Sequence, residues 1–215
     1  MRRFCAAVAM PIAIMMGAAA CIPIEPPTLQ VAAGRAPPAG PVTCEGFFAK
    51  DTNHDKLLAA FGAENVAFEE TNTGVEDITE MATVLYPEDP ARRLKIFWQY
   101  QKERSFPLEI LIDDGESQWT AGHGLRLGLN LQQVEALNKR PFKMRGFDAE
   151  SSWGMVSWRG GALESVRGGC VQDARFGPYP QKQAPNGNII PSNDPKLRSL
   201  GMKVVQIFVH YPKAQ

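Results

Sequence analysis

Thr83-Val84-Leu85-Tyr86, Pro87-Glu88-Asp89-Pro90 and Leu94-Lys95-Ile96-Phe97-Trp98-Gln99-Tyr100 follow one another along the chain. Two runs rich in β-branched and aromatic residues flank a double-proline turn, so the stretch predicts a β-hairpin. Leu108 to Ile112 adds a further strand, closed by Asp113-Asp114-Gly115. Upstream, Leu57, Leu58 and Phe61 are spaced as on a short helix, with Thr52 and Asp55 as a start cap and Gly62 as a left-handed stop. Val66-Ala67-Phe68 can then enter a strand. Strands following a helix in this order predict an α+β fold with an antiparallel sheet.

The same order recurs at an offset of 76 residues, which sets Gly46 on Gly122. Leu58 then falls on Val134, Ala60 on Ala136, Phe61 on Leu137, Gly62 on Asn138 and Val66 on Phe142. Asn130 with Gln133 three later forms the second start cap, and Phe142-Lys143-Met144 the second strand entrance. Trp153 to Trp158 and Ala162 to Val166 flank Arg159-Gly160-Gly161 as a hairpin, and Lys203 to Tyr211 supplies a late strand. The expected organisation is two similar helix-plus-sheet modules in tandem, 44–121 and 122–212. The second carries an insert, 176–199, in which Asp194-Pro195 to Leu200 reads as one short capped helix. The alternative is chance similarity, because short amphipathic helices ending in Gly or Asn are common.

The 215 residues include 44% hydrophobic and 21% charged, with 23 basic against 23 acidic side chains. That suits a folded chain with a real core and argues against disorder. Balanced charge without a basic run also argues against a nucleic-acid partner.

Arg2 and Arg3 precede an uncharged stretch that runs through Ala20, which reads as an export signal over 1–20. A retained membrane anchor is the rival, since the uncharged run continues through Ile24, although it is rich in Ala and Gly and carries Pro11. Cys21 directly after Ala18-Ala19-Ala20 resembles the lipobox of bacterial lipoproteins, which implies a lipid (palmitate-bearing) N-terminal cysteine. Ala18 stands where that pattern has Leu, so plain cleavage to a soluble periplasmic protein is the alternative. With Cys5 lost and Cys21 lipidated, Cys44 and Cys170 remain as an even pair, expected to form a disulfide in an oxidising compartment. Ile22 after the cysteine favours the outer membrane by resemblance to lipoprotein sorting. Residues 21–43, with Pro23, Pro26, Pro27, Pro37, Pro38 and Pro41, read as anchor site and tether. Loss of Arg2 and Arg3 leaves 21 basic against 23 acidic residues, a net −2, with no pull toward anionic lipid.

Gly128-Leu129-Asn130-Leu131, with Val134, Leu137, Asn138, Pro141 and Phe142, resembles the helix–turn module of SmpA/OmlA-type outer-membrane lipoproteins. It is also similar to the tandem modules of β-lactamase inhibitory protein. Leu137 to Phe142 with Gly146-Phe147 and Trp153 resembles an uncharacterised family of exported bacterial proteins over most of 44–212. The resemblance implies fold and compartment, and no catalytic chemistry.

The chemical motifs are sparse. Asp51-Thr52-Asn53-His54-Asp55 begins like a calcium loop, but Lys56 and Gly62 replace the required Gly and Glu, so helix capping is expected. His54, His123 and His210 lack zinc spacing, which leaves no metal or cofactor implied. There is no G-x-S-x-G turn, and Ser151 and Ser152 could be nucleophiles only with a base near in space, a pairing not visible in the sequence. Gly122-His123-Gly124 and Gly168-Gly169 do not open a phosphate-cradling helix. Asp113, Asp114 and Glu116 read as a solvated acidic turn or, alternatively, a carboxylate pair. Trp98, Tyr100, Trp153 and Trp158 lie on expected strands and are the candidate binding surface, against the alternative that they are core. The expectation is a non-enzymatic outer-membrane lipoprotein facing the periplasm that binds another envelope protein. The alternatives are an envelope hydrolase with a site of scattered residues and a carrier of a small apolar ligand.

Overall fold

The computed structural model describes residues 37–75, 77–145, 154–177 and 189–214. Cys21, the signal, Ser151, Ser152 and Trp153 lie outside the described residues.

The elements are α1 (His54–Phe61), β1 (Val66–Asn72), β2 (Thr79–Leu85), β3 (Leu94–Tyr100), β4 (Ser105–Ile112), α2 (Leu131–Asn138), β5 (Lys143–Arg145), β6 (Met155–Ser157), β7 (Val171–Gly177), β8 (Ile189–Pro191), α3 (Pro195–Ser199) and β9 (Lys203–His210). The fold is α+β. Its main sheet has six strands in the order β1-β2-β3-β4-β9-β7, and a second has three in the order β6-β5-β8, all paired antiparallel. Both halves run from helix to strand, as expected, but the sheet does not repeat. β5, the counterpart of β1, pairs in the small sheet, while β9 and β7 extend the first half's sheet beyond β4.

Four further corrections concern boundaries. Asn53, rather than Thr52, caps α1 by accepting from the Lys56 N–H at 2.8 Å, because Thr52 is buried. The left-handed stop of α2 falls on Lys139 (φ 64°), one residue beyond Asn138. Asn138 is instead a buried tie: its Nδ2 donates to the Arg140 and Trp158 carbonyls, and its Oδ1 accepts from the Leu163 N–H. Ala162 to Glu164 is a 3-10 turn rather than a strand, since Gly161 and Glu164 bond back within the turn, to Trp158 and Gly161. Finally, residues 37–43, expected to belong to the tether, are tied into the fold: Tyr86 Oη donates to the Pro37 carbonyl, and Val42 is buried and bonds to Thr120 at 2.7 Å. The capping box of Asn130 and Gln133 is present as expected, and Asp194 caps α3.

Strand alternation divides the main sheet into two faces. Leu94, Ile96 and Trp98 of β3, Ile110 and Ile112 of β4, and Ile207 and Val209 of β9 share a core with Leu57, Phe61, Leu131 and Val134 of the helices. The other face carries its own small cluster of Ala82, Phe97, Leu111 and Phe208. Among the described residues, helices cover the first face only, which leaves the second to host a site.

Cys44 and Cys170 form a disulfide, with their Cα atoms 6.1 Å apart. The bridge needs a close backbone approach: a Cβ on Gly168, at φ +85°, would stand 2.4 Å from the Cys44 carbonyl oxygen.

Candidate functional site

A cleft of about 380 Å³ lies on the open face of the main sheet, between β4, β9 and β7 and the tip of the β1–β2 hairpin. Its apolar floor is Phe97 and Phe208, and its lip is Leu108, Val75 and Ile78. Leu108, Val75 and Ile78 are exposed, an unusual condition for three large apolar side chains sharing one concavity.

Sequence places the lip. Asn72 accepts from the Gly74 N–H at 2.6 Å and donates to the Val75 carbonyl at 3.2 Å, an Asx-type turn that fixes the tip. Gly74 sits at φ +82°, and a Cβ there would meet the Phe208 ring at 3.0 Å, so the tip can lie on the sheet only with glycine at that point. Arg175 holds the tip down. Its Nη1 donates to the Gly74 carbonyl and to Gln206 Oε1, while its guanidinium lies 4.8 Å from the Phe208 ring centroid.

A charged row crosses three neighbouring strands. Glu109 on β4 is the cross-strand partner of His210 on β9, and Asp173 on β7 stands diagonally from it, opposite Phe208. His210 Nδ1 lies 2.9 Å from Glu109 Oε2, and Nε2 lies 3.0 Å from Asp173 Oδ2. Burial by itself would push the imidazole pKa down; the hydrogen bonds and charges of Asp173 and Glu109 outweigh it and hold the pKa up at about 9. At neutral pH the ring is an imidazolium donating from both nitrogens. It therefore has no lone pair for a metal, and no basic nitrogen for activating a nucleophile. Thr73, the one hydroxyl that lines the cleft among the described residues, is spent on the Ile78 carbonyl and the Val75 N–H. The arrangement is built to present charge and apolar surface.

This pairing sets a pH dependence. An unfolded histidine releases its proton near 6.5, whereas folded His210 keeps it to about 9. Its contribution to stability is therefore complete below about 6.5 and is lost as pH rises through 9. An NMR titration of the His210 ring should give a midpoint near 9, and the urea midpoint of His210→Gln should fall less than the native protein's between pH 7 and 9.5. A ring titrating near 6.5 refutes the clamp.

The residues expected to form the site are mostly elsewhere. Trp98 and Trp158 are each 2% exposed, so their assignment to a binding surface is corrected: Trp98 stands on the helix-covered side of β3, and Trp158, just after β6, packs into the same core. Their indole N–H groups are spent on Thr83 Oγ1 at 2.9 Å and the Gln172 carbonyl at 2.7 Å. Tyr100 is 45% exposed, at the β3–β4 turn, edge-on to Phe106, and does not line the cleft. Trp153 lies outside the described residues. Asp113 and Asp114 are not free carboxylates: they pair with Lys95 at 2.8 Å and Arg93 at 3.4 Å. Asp51 likewise pairs with Lys56 at 2.8 Å, as helix capping expects. Gly168 and Gly169 form the tight turn before Cys170. Among the described residues no three His, Cys, Asp or Glu side chains converge as metal ligands, and no helix is long and apolar enough to cross a membrane.

The fold and cleft define an α+β protein whose main sheet, among the described residues, has one helix-covered and one open face. Comparison with protein-family models, curated proteins and solved structures gave no match.

Proposed function

We propose that the chain is an exported lipoprotein, anchored through Cys21, whose folded part binds another envelope protein without performing catalysis. The observation that carries this reading is the cleft itself, a preformed concavity with an exposed apolar lip on the uncovered sheet face. Two further features support it. The Cys44–Cys170 disulfide suits an oxidising compartment, and the doubly bonded His210 ring is poorly suited to catalysis at neutral pH. The resemblance of the α2 segment to SmpA/OmlA-type lipoproteins, and of the chain to the family of exported proteins, belongs to the same proposal.

Metabolic labelling with a palmitate analogue tests the anchor. Label should enter the native protein and vanish in Cys21→Ser, with the variant moving from the detergent phase to the aqueous phase. Partition of both into the aqueous phase removes the anchor. A photo-crosslinking residue at Leu108 tests the surface, with the exposed helix position Gln132 as control. In cells, Leu108 should yield a discrete adduct with an envelope protein and Gln132 none. Absence of an adduct at Leu108 overturns the reading.

A further inference from the structure

The charge arrangement of the cleft narrows the partner's chemistry, on the reading that the open face binds a partner. We infer that the cleft accepts a cationic side chain, Arg or Lys, flanked by an apolar residue of an extended partner segment.

Charge complementarity is the first argument. Glu109 and Asp173 each spend one oxygen on His210, through Oε2 and Oδ2. Their other oxygens, Oε1 and Oδ1, have no hydrogen-bond donor among the described residues, and Glu80 adds a third carboxylate to the lining. Three carboxylates against His210 and Arg175 leave the cleft at −1 when the imidazole is protonated. Two acceptor oxygens beside one imidazolium suit the N–H fork of a guanidinium, or an ammonium less specifically.

The second argument is that the cleft's own cations are turned away from a ligand. His210 points both N–H groups at carboxylates. Arg175 caps the Phe208 ring and bonds to the Gly74 carbonyl and Gln206. An anion entering here would face three carboxylates with no donor directed at it. The third argument is shape. A volume of about 380 Å³ is at the small end for a ligand site and fits a few side chains rather than a whole domain. Leu108, Val75 and Ile78 are the exposed apolar rim that a residue flanking the cation would cover.

The test uses the full-length mature chain in detergent with three probes: acetyl-Leu-Arg-Leu-amide and its Gln and Glu counterparts. Methyl NMR follows Val75, Ile78 and Leu108, and calorimetry gives affinities. The Arg peptide should shift these methyl signals and bind at least about tenfold tighter than the Gln peptide, with the difference shrinking in high salt. Glu80→Gln, which leaves the His210 clamp untouched, should weaken the Arg peptide alone. The double variant Glu109→Gln/Asp173→Asn should abolish the preference. Equal binding of the Arg and Gln peptides, tighter binding of the Glu peptide, or unshifted methyl signals with all three would each overturn the inference. An adduct at Leu108 in cells without Arg preference leaves the partner reading standing and removes only the cation. An Arg preference without any adduct removes the partner segment as its source.

Discussion

Replacing Cys44 and Cys170 together by Ala is expected to lower the unfolding free energy by about 4–5 kcal/mol at neutral pH. The bridge closes a loop of 126 residues, which includes all of the first half and reaches the start of β7. Cutting it releases most of the chain into a larger unfolded ensemble, so the loss is chiefly one of the unfolded state. The folded state should change little. Cys44 N–H still bonds to the Arg167 carbonyl at 3.0 Å, and Val166 N–H to the Cys170 carbonyl at 2.9 Å, so the two backbones keep their approach. Urea unfolding monitored by tryptophan fluorescence would read the effect, and the variant's steeper denaturant slope would report its more expanded unfolded chain. A loss below about 1 kcal/mol would mean that the unfolded chain is already compact around these residues.

Cysteine parity reached this bridge from sequence, since a pair is a counting argument and needs no register. The β2–β3 hairpin, the Asn130–Gln133 box and β9 were legible for a similar reason: each is signalled by its own residues. The order of the main sheet was not. Ile110 pairs with Val209 across the β4–β9 seam, and nothing local in either strand names the other. β7 was not legible because Val171 to Gly177 runs straight into a Pro- and Gly-rich segment, so the short alternation of Gln172, Ala174 and Phe176 with Asp173 and Arg175 has no turn to close it.

The cleft needed all of those pairings at once. Its residues come from β2, β3, β4, β7, β9 and a hairpin tip, and Phe208 with His210 on β9 and Asp173 with Arg175 on β7, each pair two apart on one strand, were its local traces. The aromatics misled for a different reason. Alternation put Leu94, Ile96 and Trp98 on one face of β3 and Lys95, Phe97 and Gln99 on the other, but it carries no sign saying which face meets the helices. Trp98 fell on the covered side.

That placement makes Trp98→Ala the second large effect, an expected loss of about 3–5 kcal/mol, as for other large-to-small core changes. The ring is 2% exposed in the core between the sheet and the helices, and its N–H donates to Thr83 Oγ1. A hydroxyl that accepts from Trp98 still has its own hydrogen to donate to Nδ1 of a neutral His54, 2.9 Å away. Burial, aided by the Arg104 charge, holds the His54 pKa below its ordinary value, so the neutral ring is the folded form. The contribution of His54 is therefore complete above 6.5 and is lost as pH falls below it, opposite in sign to that of His210. Trp98→Phe separates volume from polarity. It retains most of the ring while depriving Thr83 of a donor, and should cost less than Trp98→Ala, about 1–3 kcal/mol. Tyr100→Ala, on the same strand but 45% exposed, should stay within about 1 kcal/mol of the native protein. Urea midpoints of the three variants at pH 7 should therefore fall in the order Tyr100→Ala, Trp98→Phe, Trp98→Ala. If Trp98→Ala unfolds within about 1 kcal/mol of the native protein, the indole is not part of the core, and β3 presents it to a partner instead.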